Sequence, residues 1–104
     1  MMDMCRIVAS LVSAASRPDL DTDIKLQLAL TRAISTVGEA ARRVSGDFQE
    51  THPEIDWSRI IGMRHKLVHD YFLIDYDVVW EAATVHVPRL LTALENLGLT
   101  EPPP

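Results

Sequence analysis

Apolar residues recur at helical spacing in four stretches of this 104-residue chain, and polar or proline-bearing segments separate them. The first stretch, about Met2 to Ser16, places Met4, Ile7, Val8, Leu11, Val12 and Ala15 along one face. Arg17-Pro18-Asp19 ends it, because proline disfavours helical geometry in the residue before it. Asp21, Thr22 and Asp23 then offer N-cap oxygens, and a second helix is expected to run to about Ser45. Its stripe is Leu26, Leu30, Ala33, Ile34, Val37, Ala41 and Val44, and Gly46 is the expected stop. Gly38 in mid-helix costs about 1 kcal/mol relative to alanine, which points to close helix packing there. The segment from Asp47 to Asp56 relaxes into a connection.

Asp56 is the expected cap of a third helix, from Trp57 to about Phe72. Asp75 caps a fourth, with Val78, Val79, Ala82, Ala83, Val87, Leu90, Leu91 and Leu94 on its face. Pro88 lies inside that helix and should kink it, since its ring removes a hydrogen bond and crowds the preceding turn. Gly98 closes the helix, and residues 99–104 form a frayed, flexible tail. No repeat and no strand pattern emerges. The expectation is an all-α fold, an antiparallel four-helix up-and-down bundle forming one domain over residues 1–104. Val78, Val79, Trp80, Val85, Val87, Leu90 and Leu91 point in several directions from the fourth helix. So small a core cannot cover them all, which implies self-association as a two-fold dimer.

Composition narrows the picture. A hydrophobic fraction of 47% excludes a disordered chain, and no run reaches the roughly 18 apolar residues of a membrane span. Ile7–Ala15 is too short and too interrupted, by Ser10 and Ser13, for a signal segment. One cysteine, Cys5, excludes an internal disulfide and fits a reducing cytoplasm. A net charge of −5 opposes electrostatic coating of nucleic acid. Yet from Trp57 to His69 there are Arg59, Arg64, Lys66 and two histidines with no acidic residue. That strip is either a solvated face or a compact phosphate site.

Arg64 carries the most information. On a helix from Trp57, the residues Trp57, Ile60, Ile61, Leu67 and Val68 gather on one face, and Arg64 projects from its middle. A guanidinium cannot be neutralised, so it must meet a carboxylate, carbonyls or an incoming anion. Glu39 of the second helix and a phosphate are both open as partners. His69 lies about 140° around the helix from Arg64, so one protomer does not readily aim both at one atom. A distortion near His69, or a second copy across a dimer axis, would bring them together. His65 and His69, four apart, could share a zinc ion, but no cysteine or acidic cluster completes a ligand set, and no metal site is assigned. By position alone, His69 suits a helix end, and Tyr71, Phe72 and Tyr76 suit a core. An arginine on a phosphate, with histidine moving protons, could also direct the 2′-hydroxyl of RNA onto its own phosphodiester without a metal.

The segment Arg64-His65-Lys66-Leu67-Val68-His69 resembles the Arg-x4-His signature of HEPN domains, and Tyr71 extends it to Arg-x4-His-x-Tyr. That extension is similar to the HepT-like toxins of minimal nucleotidyltransferase–HEPN pairs. Gly38-Glu39-Ala40-Ala41-Arg42-Arg43-Val44-Ser45, His52-Pro53-Glu54-Ile55-Asp56-Trp57, Ile60-Ile61-Gly62-Met63 and Asp77-Val78-Val79-Trp80-Glu81 follow the same family order. The resemblance implies a HEPN-like bundle dimerising through helices around a shared motif cleft. It implies a metal-independent endoribonuclease toxin, with Arg64 and His69 catalytic and products ending in 2′,3′-cyclic phosphate and 5′-hydroxyl. It further implies a nucleotidyltransferase-fold antitoxin that transfers AMP to Tyr71, using ATP and Mg²⁺ in the partner; this chain needs no cofactor. Two departures stand out. His65 occupies a position that is often asparagine, where it could still support catalysis, and the first helix is short. The alternative is a non-catalytic module that grips RNA or nucleotide, or docks the partner, with Arg64 as anion anchor.

Overall fold

A computed structural model describes residues 1–69 and 74–98, with Val68 and His69 described by backbone alone. Every regular element among the described residues is helical: α1 (Met2–Ser13), α2 (Asp19–Thr22), α3 (Ile24–Arg42), α4 (Gly46–Thr51), α5 (Trp57–His69), α6 (Tyr76–Glu81) and α7 (Val87–Asn96). A π-helical turn, Ala82–His86, joins the last two without a break. The expected tail lies outside the described residues.

The central element is α3, which packs chiefly against α5 and also against α1, while α1 leans on α7. Its predicted stripe is buried from Leu26 to Ala41, and only Val44, beyond the helix end, is half-covered. Leu20, Leu30, Ile34, Val37, Val79, Val87 and Leu94 form the closed centre of the core. Local capping starts the helices where the aspartates predict. The Asp23 carboxylate accepts from the Leu26 N–H at 3.2 Å, Asp56 from Arg59 at 3.1 Å, and Asp75 from Asp77 at 2.9 Å.

Several expectations are corrected. Asp21 and Thr22 belong to the separate short helix α2, so the long helix starts only at Ile24. Gly46 does not stop a helix; it opens α4, where the Ser45 hydroxyl accepts from the Phe48 N–H at 3.2 Å. The first helix is rotated from its predicted face, burying Met2, Cys5 and Val8 and leaving Ile7 exposed. Apolar residues line both sides of that helix, so its sequence period alone does not select a side. At Pro88 the backbone widens instead of merely bending. The ring has no N–H to offer the preceding turn and crowds it, and the π-helical turn just upstream absorbs the misfit. Finally, Val79, Val87 and Leu90 are buried and Val78, Trp80, Val85 and Leu91 are half-covered within the protomer. Among the described residues, the large exposed apolar side chains are Ile7, Ile24 and Leu28, on α1 and α3.

Candidate active site

Gly38 makes the site possible. A Cβ built there would lie 2.7 Å from the Arg64 Cβ and 3.1 Å from the Ile60 carbonyl oxygen, so α3 and α5 touch backbone to backbone at this level. The face of α5 that enters the core is Trp57, Ile60 and Met63. Arg64 lies directly under Gly38, its Cβ in the contact between α3 and α5 and its side chain 42% exposed.

The next residue on α3 meets it. The Glu39 carboxylate lies 3.2 Å from the Arg64 Nε, and also accepts from Arg42 at 2.9 Å and Arg43 at 3.2 Å. One carboxylate thus bridges three guanidinium groups. The hydrogen-bonded Arg42 is the main cause that holds the Glu39 carboxyl below its ordinary range, with Arg64 and Arg43 adding to it. Of the two partners the sequence leaves open for Arg64, the carboxylate is therefore present. It does not use up the arginine. The Arg64 side chain remains 42% exposed.

Arg64 borders an open groove of about 1050 Å³. One wall is the outer side of α3 with Arg32, Glu39 and Arg43; the other carries Arg64, Leu67 and Tyr76. Among the described residues of the groove, Glu39 is the sole acid against three arginines. Arg32 is not singled out by periodicity, and Arg43 reads only as a helix-end cation. The signal that finds them is the polar spacing 32, 36, 39, 43 along one side of α3.

His65 is exposed and is not among the described residues that line the groove. His69 ends α5, which is helical through that residue, so no break before it narrows the angular offset from Arg64. Its side chain is not described. Tyr71, the predicted acceptor of AMP, lies outside the described residues. The basic strip of α5 is not one surface: Arg59 turns away to Asp56, at 3.3 Å, while Arg64 pairs across to α3. No three His, Cys, Asp or Glu side chains among the described residues converge as metal ligands. None of the described helices is long and apolar enough to cross a membrane.

An all-helical domain with Arg-x4-His on one helix, its arginine turned to a cationic groove, has the make-up of a HEPN-type protein. The chain belongs to the HepT-like ribonuclease family, whose model, described as "Ribonuclease HepT-like", matches residues 1–97. It is 39% identical over 79 residues to "Probable ribonuclease HepT" of Thermococcus cleftensis, covering 76% of this chain and 72% of that protein. It is 32% identical over 90 residues to "Putative RNase TTE0752" of Caldanaerobacter subterraneus subsp. tengcongensis, covering 86% and 80%. A Methanocaldococcus jannaschii protein, "Putative RNase MJ1380", is 36% identical over 70 residues, covering 67% and 64%. No solved structure matches the chain.

Proposed function

We propose that this protein is a cytoplasmic, metal-independent endoribonuclease, the toxin of a toxin–antitoxin pair. The observation that carries the reading is the state of Arg64: paired to Glu39, 42% exposed, and lining a groove in which arginines outnumber acids. A guanidinium held by a carboxylate and still part-exposed in a groove is suited to a phosphodiester. In this mechanism Arg64 binds the non-bridging oxygens and stabilises the charge that grows on them. His69 moves the protons, taking one from the 2′-hydroxyl or giving one to the departing 5′-oxygen. The 2′-oxygen attacks phosphorus, the P–O5′ bond breaks, and the strands end in 2′,3′-cyclic phosphate and 5′-hydroxyl. His65 keeps its supporting role through the resemblance alone, since it does not line the groove of its own protomer.

The reading includes a homodimer of HEPN-like four-helix bundles. Because α5 stays helical through His69, the roughly 140° offset from Arg64 favours a site shared by two copies over one built by a single helix. The antitoxin has a nucleotidyltransferase fold and silences the toxin by AMP transfer to Tyr71. The tyrosine oxygen attacks the α-phosphorus of ATP and pyrophosphate leaves. The added negative phosphate next to a cationic groove would repel RNA.

The test is an RNase assay in chelator on the wild type and on Arg64→Ala and His69→Ala, with product ends mapped. Wild type should cut and leave cyclic phosphate ends, while both variants lose activity and keep the oligomeric state of the parent. Unchanged cleavage by His69→Ala would sink the catalytic assignment and favour a binding module. Incubation with the antitoxin and ATP should add one AMP to Tyr71 by mass spectrometry; an unmodified Tyr71 peptide refutes that mode of silencing.

A further inference from the structure

Arg32 is an exposed guanidinium on α3 with no charged partner among the described residues, and it lines the same groove as Arg64. Arg43 follows eleven residues later on the same helix. That separation is about 20° around the axis and about 16 Å along it, so the two arginines share one side of α3. Arg64 arrives from α5 between them, at the level of Glu39. Glu39 is engaged by Arg42, Arg43 and Arg64, which leaves the charge of Arg32 without a counter-ion among the described groups. On a chain of net charge −5, this wall concentrates positive charge in a concavity, where the field is focused.

We propose that this wall is a track for the sugar–phosphate backbone of single-stranded RNA. Arg32 and Arg43 contact phosphates on either side of the one that Arg64 holds. The proposal rests on the ribonuclease reading and deepens it by naming where the flanking substrate lies. The separation of about 16 Å from Arg32 to Arg43 is the length of a few nucleotides of an extended single strand. A one-sided, open groove fits a single strand, and 2′-hydroxyl attack needs a strand free to bend into line. Contacts of this kind position the substrate without reading its sequence, so they set affinity and register while Arg64 and His69 set the rate.

The experiment measures binding of a labelled single-stranded oligoribonucleotide by fluorescence anisotropy across a salt series in chelator, together with wild-type cleavage of the same RNA. Arg32→Gln and Arg43→Gln should each weaken binding by roughly three- to tenfold at low salt. Each should also make the slope of log affinity against log salt shallower by about 0.7, the value for one phosphate contact on a single strand. Arg89→Gln, the same charge change on exposed α7 away from the groove, should alter neither quantity. If Arg43→Gln is unstable after losing its Glu39 bond, Arg32→Gln, which breaks no ion pair among the described residues, decides alone. Parental affinity and slope in Arg32→Gln overturn the track, and wild-type cleavage in the same experiment leaves the ribonuclease reading standing. A wild type that neither binds nor cleaves removes both. A change in oligomeric state at unchanged RNA affinity assigns the wall to a protein contact and overturns the track as well.

Discussion

Glu39 bears on how Arg64 can act, because it pairs with the guanidinium while Arg64 still lines the groove with its side chain 42% exposed. Glu39→Gln keeps the shape and removes the charge. The expected result is a fall in kcat of up to about a hundredfold, the scale of a misplaced catalytic group, with the fold intact by circular dichroism. Activity equal to wild type would mean that Arg64 is placed without it. The same carboxylate gives a signed pH dependence. Its folded pKa is depressed by Arg42 first and by Arg64 and Arg43 after it. Its contribution to stability is therefore complete above the unfolded value of about 4.3 and is lost as pH falls through the folded one. Urea midpoints of wild type and Glu39→Gln should differ by a constant amount above about pH 5, and the difference should shrink in more acidic solution. Gly38 acts through space rather than charge. Gly38→Ala forces apart two backbones already in contact, at a cost of about 1–3 kcal/mol in urea unfolding despite the better helix propensity of alanine.

At the scale of elements, what was legible is what is local. Asp23, Asp56 and Asp75 cap the helices that their positions predict, since a side-chain oxygen two or three residues ahead of an N–H needs no tertiary help. Gly38 announced a close contact because glycine in mid-helix has no local reason to be there. The short helices α2 and α4 carry no apolar stripe long enough to show, and the rotation of α1 depends on its neighbours. Of the site, the Arg64–Glu39 pair was readable as one of two options; the groove was not, because Arg32 and Arg43 join Arg64 only when α3 lies on α5. One cap also bears on that groove. Asp75 accepts from Asp77 and Val78 and fixes the start of α6, whose Tyr76 and the preceding Ile74 line the wall opposite α3. Asp75→Ala should cost about 1 kcal/mol, read as a lower urea midpoint with the same m-value. A changed m-value would indicate that more than the cap is lost.

At the scale of the molecule, the case for a second copy moves from the fourth helical stretch to α3. The apolar surplus expected on Val78, Trp80, Val85 and Leu91 is half-covered within the protomer, whereas Ile24 is 67% exposed and Leu28 65%. These two are four residues apart, on one side of α3, and Leu28 reaches the end of the Arg64 groove. A dimer that buries them would set the second copy beside the end of the groove that Leu28 lines, which makes the proposed two-copy site testable there. Leu28→Glu tests this without touching the core, because the side chain it replaces is exposed. Light scattering should give a dimer for wild type and a monomer for Leu28→Glu at the same concentration, with the helical signal and melting transition retained. If Leu28 is a central contact, the cost is about 2 kcal/mol, or roughly thirtyfold in the dimer dissociation constant. Cleavage should fall in step with the dimer fraction and recover as protein concentration rises, since each site would need residues from both copies. A monomeric Leu28→Glu protein that cleaves RNA at the wild-type rate would show instead that one α5 suffices, and that His69 reaches the scissile phosphate by a route within its own protomer.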